Sequence, residues 1–174
     1  YAALADAATW PDTYARRHRE YDAMKPFHFV NVAATENAYV RARDCPSGCV
    51  VMALEQWITL LGRHDPAPSA DERRGYIYWI AHLVGDIHQP LHVAHPDGKG
   101  GNVTRLTFFD EGEQKSAHWL WDVGLIERRP VAGADGDYDA YARARWPIVA
   151  EQLLKAGVRL AAILDRALGM AGPR

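Results

Sequence analysis

Histidine and aspartate recur in this sequence at spacings that let them act together. The stretch HLVGDIHQPLH carries His82, Asp86, His88 and His92 at the end of the apolar run GYIYWIAHLVGD. His82 and Asp86 are four residues apart, so on a helix they lie one turn apart on one face and can grip one ion. His118 and Asp122, in HWLWD, repeat that spacing. Pro90 interrupts the helix and turns His92 to a new place, towards a second ion rather than the first. Asp12, in TWPDTY, and His28, in KPFHFVN, add a carboxylate and an imidazole beside aromatic residues in segments that read as loops. Hydrogen-bonded core histidines occur at the same spacings, so the pairs alone leave metal binding and plain packing equally open.

If these side chains do bind metal, their types suit zinc. Zinc accepts imidazole nitrogen and carboxylate oxygen, keeps a position open for water and lowers that water's pKa towards neutrality. Two such ions close together hold a phosphate and neutralise the charge that builds during in-line attack, which makes a phosphodiester the natural substrate. A carboxylate such as Asp12 would orient or deprotonate the attacking water. The glycine-rich KGGN stretch is no phosphate-cradling P-loop, because neither Lys-Ser nor Lys-Thr follows its glycines.

The elements that must position these residues are mostly helical. Apolar residues recur at helical spacing over 49–63, 72–87 and 141–168, and SAHWLWDVGLIE reads as a further helix. Ser69 or Asp71 can cap the second of these, after the break at HDPAPSAD. Past the PDGKGGN loop, VTRLTFF alternates with period two and reads as a short strand, with a hairpin turn at DEGE; RRPVAGADGD is a linker. The expected fold is therefore mainly α, a single domain over 1–174 with a small β-hairpin near 103–115. A chain of 174 residues buries a core without help from a metal, so a metal here would serve chemistry rather than folding. With 20 basic and 22 acidic residues the net charge is -2, which excludes the strongly basic footprint of broad nucleic-acid binding. No apolar run reaches the roughly 18 residues of a membrane span. Cys45 and Cys49, in CPSGC, are the only cysteines; they can close a tight loop in an oxidising compartment or stay free thiols in a reducing one.

Taken in order, WPD, HFVN, HLVGDIHQPLH, KGGN and HWLWD resemble the zinc-dependent S1/P1 nuclease family, whose fold is shared with zinc-dependent phospholipase C. CPSGCVVMAL and QLLKAGVRLAAIL are similar to its flanking core segments, so the likeness runs over nearly the whole chain. The resemblance implies that Asp12, His28, His82 and Asp86 hold one zinc and that His92, His118 and Asp122 hold another. A third zinc of the family shares the Asp86 carboxylate and uses an amino-terminal tryptophan and a nearby histidine. Phe29 matches the aromatic on which the nucleotide base stacks and Asn31 the position that bonds the base edge, although Phe29 can also be read as a core aromatic. Lys99 and Asn102, in KGGN, are placed to reach substrate, or merely to form the turn.

The implied activity is hydrolysis of single-stranded RNA and DNA, and of 3′-nucleotides, to 5′-phosphate products by a secreted or periplasmic enzyme. The sequence departs from the family pattern in two places. No tryptophan and histidine precede the YAALADAATWPD segment, and only RRPVAGADGD, residues 128–137, stands where a further helical segment is expected. The chain is thus expected either to be incompletely represented or to be a reduced member with a damaged cluster, and the retention of every remaining ligand favours the first. Zinc-dependent phospholipase C, which typically has glutamate where Asp122 stands, is the nearest alternative. A zinc- and nucleotide-binding relative without activity is the other.

Overall fold

A computed structural model describes residues 2–15, 17–93, 96–107, 114–127 and 140–170. Helix α1 (Ala2–Ala15) leads through 3-10 turns over Arg19–His28 to the short α2 (Arg41–Asp44), then to α3 (Val50–Leu61) and α4 (Ala70–His88). Two more 3-10 segments, Pro90–Val93 and Pro96–Gly101, precede strands β1 (Arg105–Thr107) and β2 (Gln114–Ser116). Ala117–Trp119, a π-helical turn at Leu120–Gly124 and Leu125–Glu127 run on as one helix, α5, and α6 spans Ala140–Ala167. Among the described residues the chain is mainly helical with one antiparallel pair of strands, in the register Arg105 opposite Ser116 and Thr107 opposite Gln114. The expected turn at DEGE and the linker 128–137 lie outside the described residues.

Helix α4 is the axis of the molecule, with α1, α3 and α6 packed around it. Its start is fixed by a capping box, in which the Ser69 hydroxyl accepts the Glu72 N–H and the Glu72 carboxylate accepts the Ser69 N–H. Ser69, not Asp71, is therefore the cap. The middle of α4 buries Ile80 and Leu83 completely, among Val50, Leu61 and Trp79. Each such side chain contributes roughly 1.5–3 kcal/mol relative to leaving it in water. Trp57 stacks on Trp79 at 5.9 Å, and a smaller cluster of Leu120, Leu125, Ala142 and Val149 joins α5 to α6, with Trp146 packed against it. Trp79 is buried in the core, and Trp57 and Trp146 pack partly buried against the larger and the smaller cluster respectively.

One expectation fails at the first element. The segment around Asp12 is not a loop, because α1 continues through Pro11 and Asp12 to Ala15. The alanines ahead of it are strong helix formers that lose almost no side-chain entropy. Pro11 withdraws one N–H from the ladder, but its ring is fully buried, and the contact of α1 with α4 offsets that loss. Cys45 and Cys49 form a disulfide, which removes the free-thiol alternative. The turn between them needs Gly48, at φ +112, since a side chain there would strike the Phe27 ring.

Candidate metal centre

Helical geometry brings His82 and Asp86 together as their spacing requires, with His82 Nε2 3.2 Å from Asp86 Oδ2. The 3-10 segment ending at His28 delivers a second ring, whose Nδ1 lies 2.9 Å from His82 Nε2 and 3.0 Å from Asp86 Oδ2. From α1, Asp12 Oδ1 stands 3.6 Å from His82 and 3.8 Å from His28. Beyond the end of α4, His92 Nε2 is 3.3 Å from Asp122 Oδ1, and one turn of α5 sets His118 Nε2 3.0 Å from Asp122 Oδ2. The other Asp86 oxygen, Oδ1, lies 3.8 Å from the His92 ring, so this carboxylate stands between the two groups. All seven ligand-type residues expected from the sequence meet in one place, and Pro90 does separate His92 from His82 and Asp86.

The donor set fits zinc. A tetrahedral zinc with bonds of about 2.0–2.1 Å holds its ligand atoms about 3.3 Å apart. The ligand atoms of Asp12, His28 and His82 lie within 4.8 Å of one another, and so do those of His92, His118 and Asp122. The ring tautomers point the same way. His82 Nδ1 donates to the Ala8 carbonyl at 2.7 Å, His92 Nδ1 to the His28 carbonyl at 2.7 Å and His118 Nδ1 to the Gly100 carbonyl at 2.8 Å. A carbonyl only accepts, so each Nδ1 carries a proton and the lone pair of the neutral ring sits on Nε2, facing the carboxylates.

These partners were invisible in the sequence because backbone carbonyls belong to every residue. Two other supports had a faint signal. The Gln89 amide, at the C-cap of α4, donates to Asp122 Oδ1 while its carbonyl oxygen accepts the Leu91 N–H. The Ser116 hydroxyl accepts the Trp119 N–H and so starts the helix that carries His118. A polar residue just before HQPLH's proline and a serine just before the AHW turn are the cues that could have found them. Gly100, at φ +58, completes the arrangement: a Cβ there would lie 2.7 Å from the Leu91 carbonyl and 3.3 Å from His118 Nδ1. The glycine lets the loop press against that ring.

Electrostatics follow from burial and pairing. Burial pushes the Asp86 carboxyl up, but hydrogen bonds with His28 and His82 and the charges of His82 and His92 outweigh it and hold the pKa down to about 2. For Asp122, burial is likewise overcome, by hydrogen bonds with His118, His92 and Gln89, and its pKa falls well below the carboxylate range. Burial lowers His92, yet the hydrogen bond with Asp122 and the charge of Asp86 raise it to about 9. His82 is raised by Asp86 against its burial, and His118 chiefly by its hydrogen bond with Asp122. Without metal, these rings share protons with the carboxylates; a metal ion would take the protons' place.

Both groups, His28 apart, line a cavity of about 630 Å³ to which α1, α5 and α6 also contribute. Trp119 and Trp121 wall it, as their positions beside His118 suggest, and Asn102 lines it too. The Asn102 side chain donates to the Lys99 carbonyl and so braces the turn in which Lys99 adopts φ 45. Phe29 is 39% exposed, which excludes the core reading, and Asn31 is exposed beside it. Neither lines the cavity. His88 is buried rather than a ligand, its Nδ1 donating to the Val84 carbonyl and its Nε2 accepting from Arg159.

A helical frame around two carboxylate-imidazole groups in one cleft is the arrangement expected of the S1/P1 nuclease family. The chain belongs to that family: the S1/P1 Nuclease family model matches residues 1–137. It is 33% identical over 130 residues to Nuclease S1 of Aspergillus oryzae (strain ATCC 42149 / RIB 40), covering 71% of this chain and 42% of that protein. It is 30% identical over 133 residues to Endonuclease 2 of Arabidopsis thaliana (71% and 44%) and 27% identical over 146 residues to Nuclease P1 of Penicillium citrinum (80% and 51%). The chain thus spans about half the length of these relatives.

Proposed function

We propose that the protein is a zinc-dependent nuclease that hydrolyses phosphodiester bonds in single-stranded RNA and DNA, and 3′-nucleotides, leaving 5′-phosphate products. The observation that carries this reading is the placement of Asp86 between two sets of imidazole and carboxylate groups at one cavity. Asp12, His28, His82 and Asp86 would hold one zinc, and His92, His118 and Asp122 a second. A third, expected from the family, would share Asp86; among the described residues no further ligands for it are grouped. Bound zinc supplies Lewis acidity and an activated water at neutral pH.

The remaining roles fall to the chain itself. The Asp12 side chain is 53% exposed, the most open of the first group, and is placed to accept a proton from the attacking water. The carbonyls of Ala8, His28 and Gly100 keep the three rings in the ligating tautomer, and Gln89 keeps Asp122 turned inward. Phe29 offers an open face for stacking a base, with Asn31, Lys99 and Asn102 as polar contacts to the nucleotide. Stacking tolerates every base, which suits action on single strands. A secreted or periplasmic location is supported by the Cys45–Cys49 disulfide, and no described helix is long and apolar enough to cross a membrane.

The test sets single-stranded DNA against a short-chain phosphatidylcholine, with and without a chelator. Chelator-sensitive cleavage of the DNA alone supports the reading. Turnover of the lipid alone would replace the nuclease with a phospholipase, and zinc binding without any turnover would leave an inactive relative.

A further inference from the structure

The wall of the cavity formed by α5 and α6 is built like a base-binding surface. Trp121, half-buried, lines the cavity, and its indole is held in place by an N–H donated to the Tyr141 hydroxyl at 3.1 Å. Leu153 lines the same cavity while 47% exposed. Gln152 also lines the cavity, and its amide makes no hydrogen bond to any described residue. A volume of about 630 Å³ is ample for a nucleotide. An aromatic face, an aliphatic face and one uncommitted amide carrying both a donor and an acceptor match the face and the edge of a nucleobase. Solvent alone would satisfy that amide, but water gives no reason for an exposed leucine and a fixed indole to line the same cavity.

From this arrangement we infer that the α5–α6 wall is a nucleobase subsite, separate from Phe29 and Asn31, in which Gln152 reads the base edge. The base is stacked against Trp121 and Leu153. Of the edges that offer a donor beside an acceptor, the one assigned to Gln152 is the N6/N7 edge of adenine, with which a glutamine amide pairs bidentately. Two of the subsite's residues, Gln152 and Leu153 on α6, lie beyond residues 1–137 of the family match. The subsite rests on the nuclease reading, because it holds a nucleotide of the strand whose phosphate reaches the two ligand groups.

The experiment measures kcat/KM of the zinc-loaded protein on short single-stranded oligodeoxynucleotides carrying each of the four bases, or an abasic unit, on either side of the scissile phosphate. The expected result is an adenine preference of roughly fivefold or more on one side only, with a larger loss for the abasic unit. Gln152→Leu is expected to erase the adenine preference while keeping the abasic loss. As a second readout, an 8-azidoadenine placed on the preferred side is expected to photo-crosslink to Trp121, Tyr141 or residues 149–153. Should Gln152→Leu not fold, Leu153→Ala reads the same surface through a smaller abasic loss. Cleavage with equal rates for all four bases, a preference unchanged in the variant, or adducts confined to Phe29 would overturn the subsite and leave the nuclease standing. Failure to cleave any single strand would overturn both.

Discussion

The two ligand groups hold the same kinds of atoms by different means. The first is assembled from distant parts of the chain: Asp12 comes from α1, His28 from a 3-10 segment, and His82 and Asp86 from the C-terminal half of α4. Its rings are tucked in, with the His82 side chain 7% and the His28 side chain 14% exposed. The second group draws on fewer elements, and its rings are slightly more open, at 10% for His92 and 21% for His118. His92 follows the end of α4, His118 and Asp122 share one turn of α5, and Asp122 is 34% exposed. Core packing supports the first group, whereas a C-cap amide, a glycine loop and a serine N-cap support the second. Damage to the core should therefore be felt first at His82, and damage to single polar contacts first at Asp122.

Asp86 belongs to the first group and reaches towards the second, so its loss should be the most severe. Asp86→Ala is expected to reduce turnover by roughly a thousandfold or more and to lower zinc content, read by rate assay and elemental analysis together. Activity close to that of the native protein would sink the assignment. Next comes the core beneath the first group. Leu83→Ala removes a fully buried side chain from α4 and should cost about 2–5 kcal/mol in urea unfolding. A loss under 1 kcal/mol would mean that α4 is not the axis that positions the first group.

Gln89→Ala separates the groups more finely. It should weaken zinc binding at the second group by about 10–100-fold and leave the first nearly intact, as measured by competition with a chromophoric chelator. Equal weakening at both sites would show that the supports are not independent.

Protons should distinguish the groups as well. With His92 raised to about 9 in the metal-free protein, zinc must displace its proton at neutral pH. Affinity at the second group is then expected to rise by up to about tenfold per pH unit between pH 7 and 9 and to level off above. The same shift makes the metal-free fold lose stability in that direction. The contribution of protonated His92 is whole below its unfolded pKa of about 6.5 and disappears as pH rises through about 9. A pH-independent zinc affinity would contradict the Asp122 and Asp86 pairing. The smallest effect belongs to the far end of α4, where Ser69→Ala should cost about 0.5–2 kcal/mol of stability through the lost cap, with no change in zinc content.

Much of the site was written in local spacing. A four-residue interval on a helix places His82 over Asp86 and His118 over Asp122 whatever surrounds them, and a proline after His88 redirects His92 for reasons of backbone geometry alone. The core helices were equally legible, because apolar periodicity reports which face must leave water. The segment at Asp12 was misread as a loop because Pro11 and Asp12 are poor interior helix residues. Only the burial of Pro11 against the rest of the molecule, a long-range effect, keeps α1 running through them.

By itself, then, the sequence determined the ligand types, their pairing within helices and the helical frame, since each depends on neighbours within a few residues. The tertiary structure alone decided that Asp12 and His28 join His82, that Asp86 stands between the two groups, and which carbonyls fix the rings. It also decided that Gln152 faces the cavity rather than open solvent. These are contacts between residues far apart in the chain, made when buried surfaces choose their partners, and nothing in the local pattern encodes which carbonyl or which wall that partner will be.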